Sequence, residues 1–359
     1  MSHRIKAAIA VGVGVLAVAP AGASAATKTV DMGTPISAQK ALQKSFADVN
    51  DFFPHGTTIH VGDSVKFVPT GFHTVDIPAK GGKPLGLIAP AGVTSGVLDA
   101  AGAPFWFNGQ PQFGFTPALG PPGLFGKKAT YTGAKRIESG LPLSEKAKSF
   151  TVKFTKSGTF TYYCNVHSGM KGTIKVVSQS HSVPSAKADS KALKTQVSSA
   201  LSTAKALTKT TVAAGNVSIG ASGPHGVESF AMYPATQTVP VGTTIKFSMS
   251  AKSFEDHTGT FGPGNPETEP TSYLGDLAKH FAEDPTIPSQ GAYPSDPPPA
   301  GPAALTPTLH GNGFWNTGVL DNDKATPLPP SNSVKFAAPG TYNFYCLIHP
   351  FMHGTVVVQ

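Results

Sequence analysis

The only two cysteines of this 359-residue chain sit in two stretches of the same design. One runs Phe160-Thr161-Tyr162-Tyr163-Cys164-Asn165-Val166-His167-Ser168-Gly169-Met170, the other Tyr342-Asn343-Phe344-Tyr345-Cys346-Leu347-Ile348-His349-Pro350-Phe351-Met352. Each is an aromatic run of period two ending in Cys-x2-His-x2-Met. Phe160, Tyr162 and Cys164 share one parity, and so do Tyr342, Phe344 and Cys346, so each cysteine is predicted at the inward end of a strand just before a loop. Any fold for this chain must therefore bury a sulfur, an imidazole and a thioether together, twice.

The duplication extends beyond the loops. Phe53-Pro54, Val61-Gly62 and Val65-Lys66-Phe67 repeat as Tyr233-Pro234, Val241-Gly242 and Ile245-Lys246-Phe247 at an offset of 180, and Gly158–Cys164 repeats as Gly340–Cys346 at an offset of 182. A repeat found before elements are assigned sets the domain plan. We expect a signal segment over 1–25, one domain over 26–177, a helical linker over 178–212 and a second domain over 213–359. Short β-branched and aromatic runs with Gly and Pro turns, and little helical period within them, predict an all-β chain of two tandem Greek-key β-sandwiches.

A soft thiolate, imidazoles and a weak thioether form the donor set of a type 1 copper centre, His2Cys in a plane with a long axial Met. Each loop lacks one histidine. Upstream candidates are His73 in Phe72-His73-Thr74 and His257 in Asp256-His257-Thr258, both followed by threonine and offset by 184. The expected metal ligands are thus His73, Cys164, His167 and Met170, and His257, Cys346, His349 and Met352. One copper per domain gives two per chain.

On these residues each half resembles a blue-copper (cupredoxin) domain, with a loop similar to that of amicyanin and related to that of plastocyanin. The resemblance implies a carrier of single electrons serving redox-protein donors and acceptors, with His167 and His349 near the surface as electron ports. It leaves open whether Thr74 and Thr258, where many plastocyanin-like domains carry asparagine, support a hydrogen bond to the thiolate. It also supplies the rival reading, because two-domain copper oxidases and nitrite reductases share the architecture. Those enzymes place histidine beside the copper cysteine, whereas here the neighbours are Tyr163, Asn165, Tyr345 and Leu347, and no His-x-His pair occurs. A copper storage or delivery protein is a further alternative, weakened by the lack of Met/His-rich open sites. A disulfide would have to join two cores and would leave His-x2-Met unexplained, and structural zinc has no use for the methionine.

The remaining sequence frames these sites. A basic start (Arg4, Lys6), an apolar run over 7–19 and Ala23-Ser24-Ala25 predict a cleaved secretory signal, hence a periplasmic or extracellular protein without a transmembrane segment after cleavage. Charge is uneven: 16 Lys and Arg against 8 Asp and Glu over 26–177, but 5 against 11 over 213–359. The basic residues are scattered without an aromatic-interleaved patch, so no nucleic-acid partner is expected. Helical spacing predicts helices over Ser37–Val49 and Ser190–Leu207, the latter with an alanine-rich face suited to docking on its own domains. Long insertions over 80–148 and 262–332 are expected to cover one end or face of each sandwich. Pro350-Phe351 offers site two an apolar rim. Site one, ringed by a basic domain, is expected to meet partners through charge steering. The other histidines, His55, His60, His181, His225, His280, His310 and His353, are each isolated in sequence and are expected to have surface or hydrogen-bonding roles rather than to ligate metal.

Overall fold

Strands with one apolar and one polar face are stable only when two such faces close on each other. The computed structural model describes residues 25–90, 113–120, 123–144, 146–283, 301–324, 326 and 328–359. The signal segment, the aromatic run Phe105-Trp106-Phe107 and the prolines Pro297-Pro298-Pro299 lie outside them.

Each half closes as two facing sheets. In the first, Phe52–Phe53, Thr27–Met32, Ser64–Pro69, Phe150–Phe154 and Lys128–Tyr131 form one sheet in that order, and Ile137–Glu138, Asp76–Ile77, Gly158–Tyr163, Lys171–Val177 and Gly56–His60 form the other. The second half repeats the plan with Ala303–Leu305, Ser331–Phe336, Thr244–Met249, Asn216–Ser222 and Val227–Tyr233 against Thr236–Val239, His353–Val358, Gly340–Tyr345, Thr260–Phe261 and Trp315–Asn316. The chain is thus two β-sandwiches in tandem, as the alternation predicts. Phe67, Phe150, Tyr162 and Ile174 are buried in the first core, and Phe247, Phe261, Phe344 and Val356 in the second.

The two halves share more than a linker. Helix α1, Ile36–Gln43, ends well short of the predicted Val49. Phe46 turns the chain with a φ of 47°, and Ala47–Val49 becomes an edge strand of the second sandwich, pairing antiparallel with Val227, Glu228 and Ser229. Leu42, Phe46 and Val49 mimic a helical stripe, but Phe46 is exposed and its carbonyl accepts from the Phe230 amide at 2.6 Å. A hydrogen-bond ladder offered by a distant strand outweighs a weak local helix preference.

Helix α2, Ala186–Leu207, begins earlier than predicted because the Ser185 hydroxyl accepts the Ala188 amide as an N-cap. Its alanine face does dock on its own domains: Ala200 and Ala204 are buried with Leu42, Val49, Phe53 and Val227. Gln196 donates to the Phe52 carbonyl at 2.9 Å, and Asp189 pairs with Lys28 at 2.7 Å. The third helix, α3, spans Tyr273–Glu283 in the second insertion, with Leu274, Leu277 and Ala278 packed on Phe314, Tyr345 and Leu347. That insertion therefore covers the strand leading into the second cysteine loop.

The apolar cluster under α1 and α2 joins both halves, so damage to it should loosen the junction while leaving the two sandwich cores intact. Leu42→Ala empties a side chain that is 2% exposed there. We expect it to cost about 2–5 kcal/mol in chemical denaturation, the range of buried leucine truncations.

Candidate metal centres

The hairpin Gly158–Tyr163 and Lys171–Val177, in register at Tyr163 and Lys171, leaves residues 164–170 as its turn. Two backbone bonds close that turn, Cys164 N–H to the Met170 carbonyl at 3.0 Å and Met170 N–H to the His167 carbonyl at 3.0 Å. The second hairpin is built alike, with Tyr345 opposite His353, Cys346 N–H to Met352 O at 3.0 Å and Met352 N–H to His349 O at 2.8 Å. The Cys-x2-His-x2-Met spacing is therefore the arc of one folded turn. His353, just past the second turn, is exposed, as is Lys171 at the equivalent position.

The upstream histidines arrive from the neighbouring strand region, and glycines make room for them. A Cβ on Gly33 or Gly71 would stand 2.5 Å or 2.8 Å from His73 Nε2, so only glycine admits that imidazole. Gly220, with a φ of 77°, lies against His257 in the same way. Pinned on that side, both rings turn Nδ1 toward sulfur.

In site one, Cys164 Sγ lies 3.9 Å from His73 Nδ1 and 3.6 Å from His167 Nδ1, and the two nitrogens are 2.9 Å apart. In site two, Cys346 Sγ is 3.6 Å from His257 Nδ1 and 3.8 Å from His349 Nδ1, with the nitrogens 3.1 Å apart. Bonds of about 2.0 Å to nitrogen and about 2.3 Å to sulfur separate donors of a trigonal set by about 3.7 Å, so both triangles fit one ion, the imidazole edge being the short side. Met170 and Met352 are buried in the same clusters as their cysteines. Both cysteines are free thiols in separate cores, which leaves no bridge between them.

The threonines settle how each sulfur is braced. Thr74 N–H points at Cys164 Sγ at 3.4 Å, and Thr258 N–H at Cys346 Sγ at 3.4 Å, so the backbone supplies the bond whatever the side chain. The side chains also hold the loops, and Thr74 Oγ1 lies 3.8 Å from Cys164 Sγ. Thr74 Oγ1 accepts from Asn165 N–H and donates to Asn165 Oδ1, both at 2.7 Å, while Thr258 Oγ1 accepts from Leu347 N–H at 2.8 Å. Asn165 reaches on to Asp76 at 3.2 Å, and Asp76 pairs with Arg136. Site one thus has a polar brace that site two lacks.

Electrostatics distinguish the sites further. Burial pushes the Cys164 thiol up, but bonds and charge from His167 and His73 outweigh it and hold the sulfur well below the ordinary thiol range. Burial pushes Cys346 up to about 11 against backbone bonds from Thr258, His349 and Ile348. Between the two sites lies Glu255, a buried carboxylate not singled out in the sequence. Its Oε1 is 3.3 Å from His167 Nε2 and its Oε2 is 3.6 Å from His349 Nε2. Burial opposes the Glu255 charge, yet His167 above all, then His349 and His257, hold it well below the carboxylate range. Burial lowers His167, but Glu255 and Cys164 raise it well above the usual imidazole value, whereas burial and the His349 charge push His257 down to about 3.

One expectation is corrected here. His167 is not a surface port: it is buried and turned toward Glu255 of the other sandwich, because Phe254 packs against Gly169 and seals the loop. A charge-steered encounter at its ring edge is therefore blocked. His55 and His225, apart in sequence, meet in space: their rings stack at 4.4 Å, and Asp51 Oδ2 lies 2.7 Å from His55 Nδ1 and 3.6 Å from His225 Nδ1. Gln196 of α2 joins His55 at 2.7 Å, so this group clasps the two halves and the helix.

The brace under site one carries a pH signature. Glu138 faces Asp76 across the strand pair, and burial, then the Asp76 charge, raise it from 4.5 to about 8. Between those values the folded chain holds a proton that the unfolded chain has lost, so stability falls as pH rises through the window, by at most about 1.4 kcal/mol per unit. Thermal melts of metal-free protein from pH 5 to 9 should show this decline, and Glu138→Gln should flatten it.

Residues 127–177, which include the first hairpin and its turn, match the family model of copper-binding proteins of the plastocyanin/azurin family. A 58-residue stretch is 51% identical to amicyanin-alpha of Methylorubrum extorquens, covering 15% of this chain and 49% of that protein. The chain thus spans about half the length of that curated relative. Among solved structures, oxidised plastocyanin of Dryopteris crassirhizoma aligns at 23% identity over 40% of this chain and 99% of its own, with a TM-score of 0.21. Amicyanin of Paracoccus versutus aligns at 15% identity over 41% and 85%, with a TM-score of 0.21.

Proposed function

We propose that this chain, a member of the blue-copper cupredoxin family, is an exported electron carrier holding one type 1 copper in each sandwich. The observation that carries the proposal is the pair of buried His-Cys-His triangles, equivalent in their Nδ1 and Sγ edges and each accompanied by a buried methionine. His73, Cys164, His167 and Met170 would hold one ion, and His257, Cys346, His349 and Met352 the other. Copper supplies a one-electron couple. The protein contributes a donor set fixed before the metal arrives, because glycine cradles, closed turns and Thr74 or Thr258 amides immobilise every donor. Such a set changes little between oxidation states. The matches to amicyanin and plastocyanin-like proteins support carriage rather than turnover of substrate.

Export rests on the leader-like start of the sequence. No helix among the described residues is long and apolar enough to cross a membrane. Partners would be redox proteins. Phe351, 46% exposed beside His349 and Phe230, gives site two an apolar rim on which a partner can dock and exclude water.

Copper counted per chain with thiolate-to-copper absorption is the direct test. We expect two coppers, with the colour roughly halved in Cys164→Ser or Cys346→Ser and abolished in the double variant. Colour surviving in the double variant, or loose stoichiometry without fixed potentials, would instead indicate adventitious or storage binding. Phe351→Glu should leave the site-two colour intact and slow its reduction by a protein donor, read by stopped-flow absorbance.

A further inference from the structure

The two ligand turns face each other across the junction, and one carboxylate stands between them. With Nδ1 of each loop histidine committed to its cysteine triangle, Nε2 is the nitrogen left to face outward. In His167 and His349 that nitrogen points at the same side chain, Glu255, at 3.3 Å and 3.6 Å and through different oxygens. A neutral imidazole that ligates a metal through one nitrogen donates its other N–H, most often to a carboxylate or carbonyl. Here two imidazoles from two ligand sets meet one acceptor.

The carboxylate is held for that position. Asn50, from the first half, donates to Glu255 Oε1 at 2.6 Å, and the Asn50 amide donates to the Gly226 carbonyl at 2.7 Å. A Cβ on Gly226 would stand 2.2 Å from the Asn50 carbonyl oxygen, so the two backbones touch at this point. Phe254 is bonded through its amide to Glu228 at 2.8 Å and lays its ring on Gly169, closing water out from one side. The His167 and His349 side chains are only 8% and 19% exposed, so the edges that an isolated carrier would show to a partner are turned inward.

We infer that Glu255 is an internal electron bridge, and that the two sites exchange electrons within one chain along His167, Glu255 and His349. This inference rests on the reading of two copper sites given above. One electron leaves the reduced site, which becomes oxidised, and arrives at the oxidised site, which becomes reduced. No proton leaves the bridge: the His167 and His349 N–H groups face it at 3.3 Å and 3.6 Å, and the electron transfer requires neither to move. The path crosses only two non-covalent gaps. The chain then works as a two-electron unit loaded and emptied one electron at a time, and not as two independent carriers on a string.

The experiment compares wild type, Glu255→Gln, Glu255→Asp and Glu255→Ala, all copper-loaded, with copper and colour measured on each sample. Pulse reduction of fully oxidised protein should be followed in wild type by a phase independent of protein concentration as the electron equilibrates between sites. That phase should slow at least tenfold in Glu255→Ala and Glu255→Gln and less in Glu255→Asp. Nitrogen-15 spectra of the metal-free chain give a second reading: the His167 and His349 Nε2–H protons should exchange slowly in wild type and rapidly in Glu255→Ala. Wild type lacking two coppers would overturn the two-site reading itself. Two coppers with no concentration-independent phase, or an unchanged phase in Glu255→Ala, would overturn the bridge alone. A variant that loses colour is replaced by Asn50→Ala, which removes the bond at Oε1 without touching the carboxylate, and equal rates there would also overturn it.

Discussion

A cysteine sulfur buried at the end of a core strand is the constraint on which each half depends. The strand alternation aims it inward, and the adjoining hairpin register decides which seven residues form the turn beside it. Once the turn closes on its own backbone, histidine and methionine have nowhere else to point. The upstream histidine must then be brought to the same spot from another strand, which is why glycines crowd His73 where any side chain would collide, and a left-handed glycine lies close against His257. Packing here serves the geometry of the triangle, and a backbone amide that folding has already placed donates to each sulfur.

The two halves share this plan but not its surroundings. Site one rests on a polar brace running from Thr74 through Asn165 to Asp76 and Arg136. Site two replaces it with Leu347 and the apolar cap of α3, where Leu274 and Phe314 are buried. Glu255 adds a second difference by lying nearer His167 than His349. Fewer polar groups and a more apolar shell disfavour the more highly charged state of a bound ion, so the sites should differ in potential although their donors are the same.

The residues that meet in each triangle were legible in the sequence because their spacing is local: cysteine, histidine and methionine lie within one turn, and the repeat pointed to the upstream histidine. The sandwich plan was legible for the same reason, since alternation and Gly/Pro punctuation act over a few residues. What failed was most of what is decided between the halves, the docked alanine face of α2 excepted. Ala47–Val49 read as the end of a helix because its strand partner at Val227–Ser229 is remote in sequence. His55 and His225 read as isolated because only the docked junction stacks them. Glu255 looked like one more acidic residue beside a ligand, and nothing near it marks Asn50, 205 positions away, as its donor.

The junction is therefore more than a tether. A flexible linker would have left both imidazole edges in water, where each half could meet partners by itself. Here an exchanged edge strand, a helix stitched to both halves and the Asp51, His55 and His225 clasp fix one sandwich on the other. This join removes His167 from the surface, leaves Phe351 exposed beside His349, and sets a charged side chain between the two loop histidines. A buried carboxylate is costly unless it is paired, and this one is paired with imidazoles from both halves at once. The arrangement is stable only when both turns are folded and docked, so the same contact that would carry electrons also holds the halves in the orientation that makes the carriage possible.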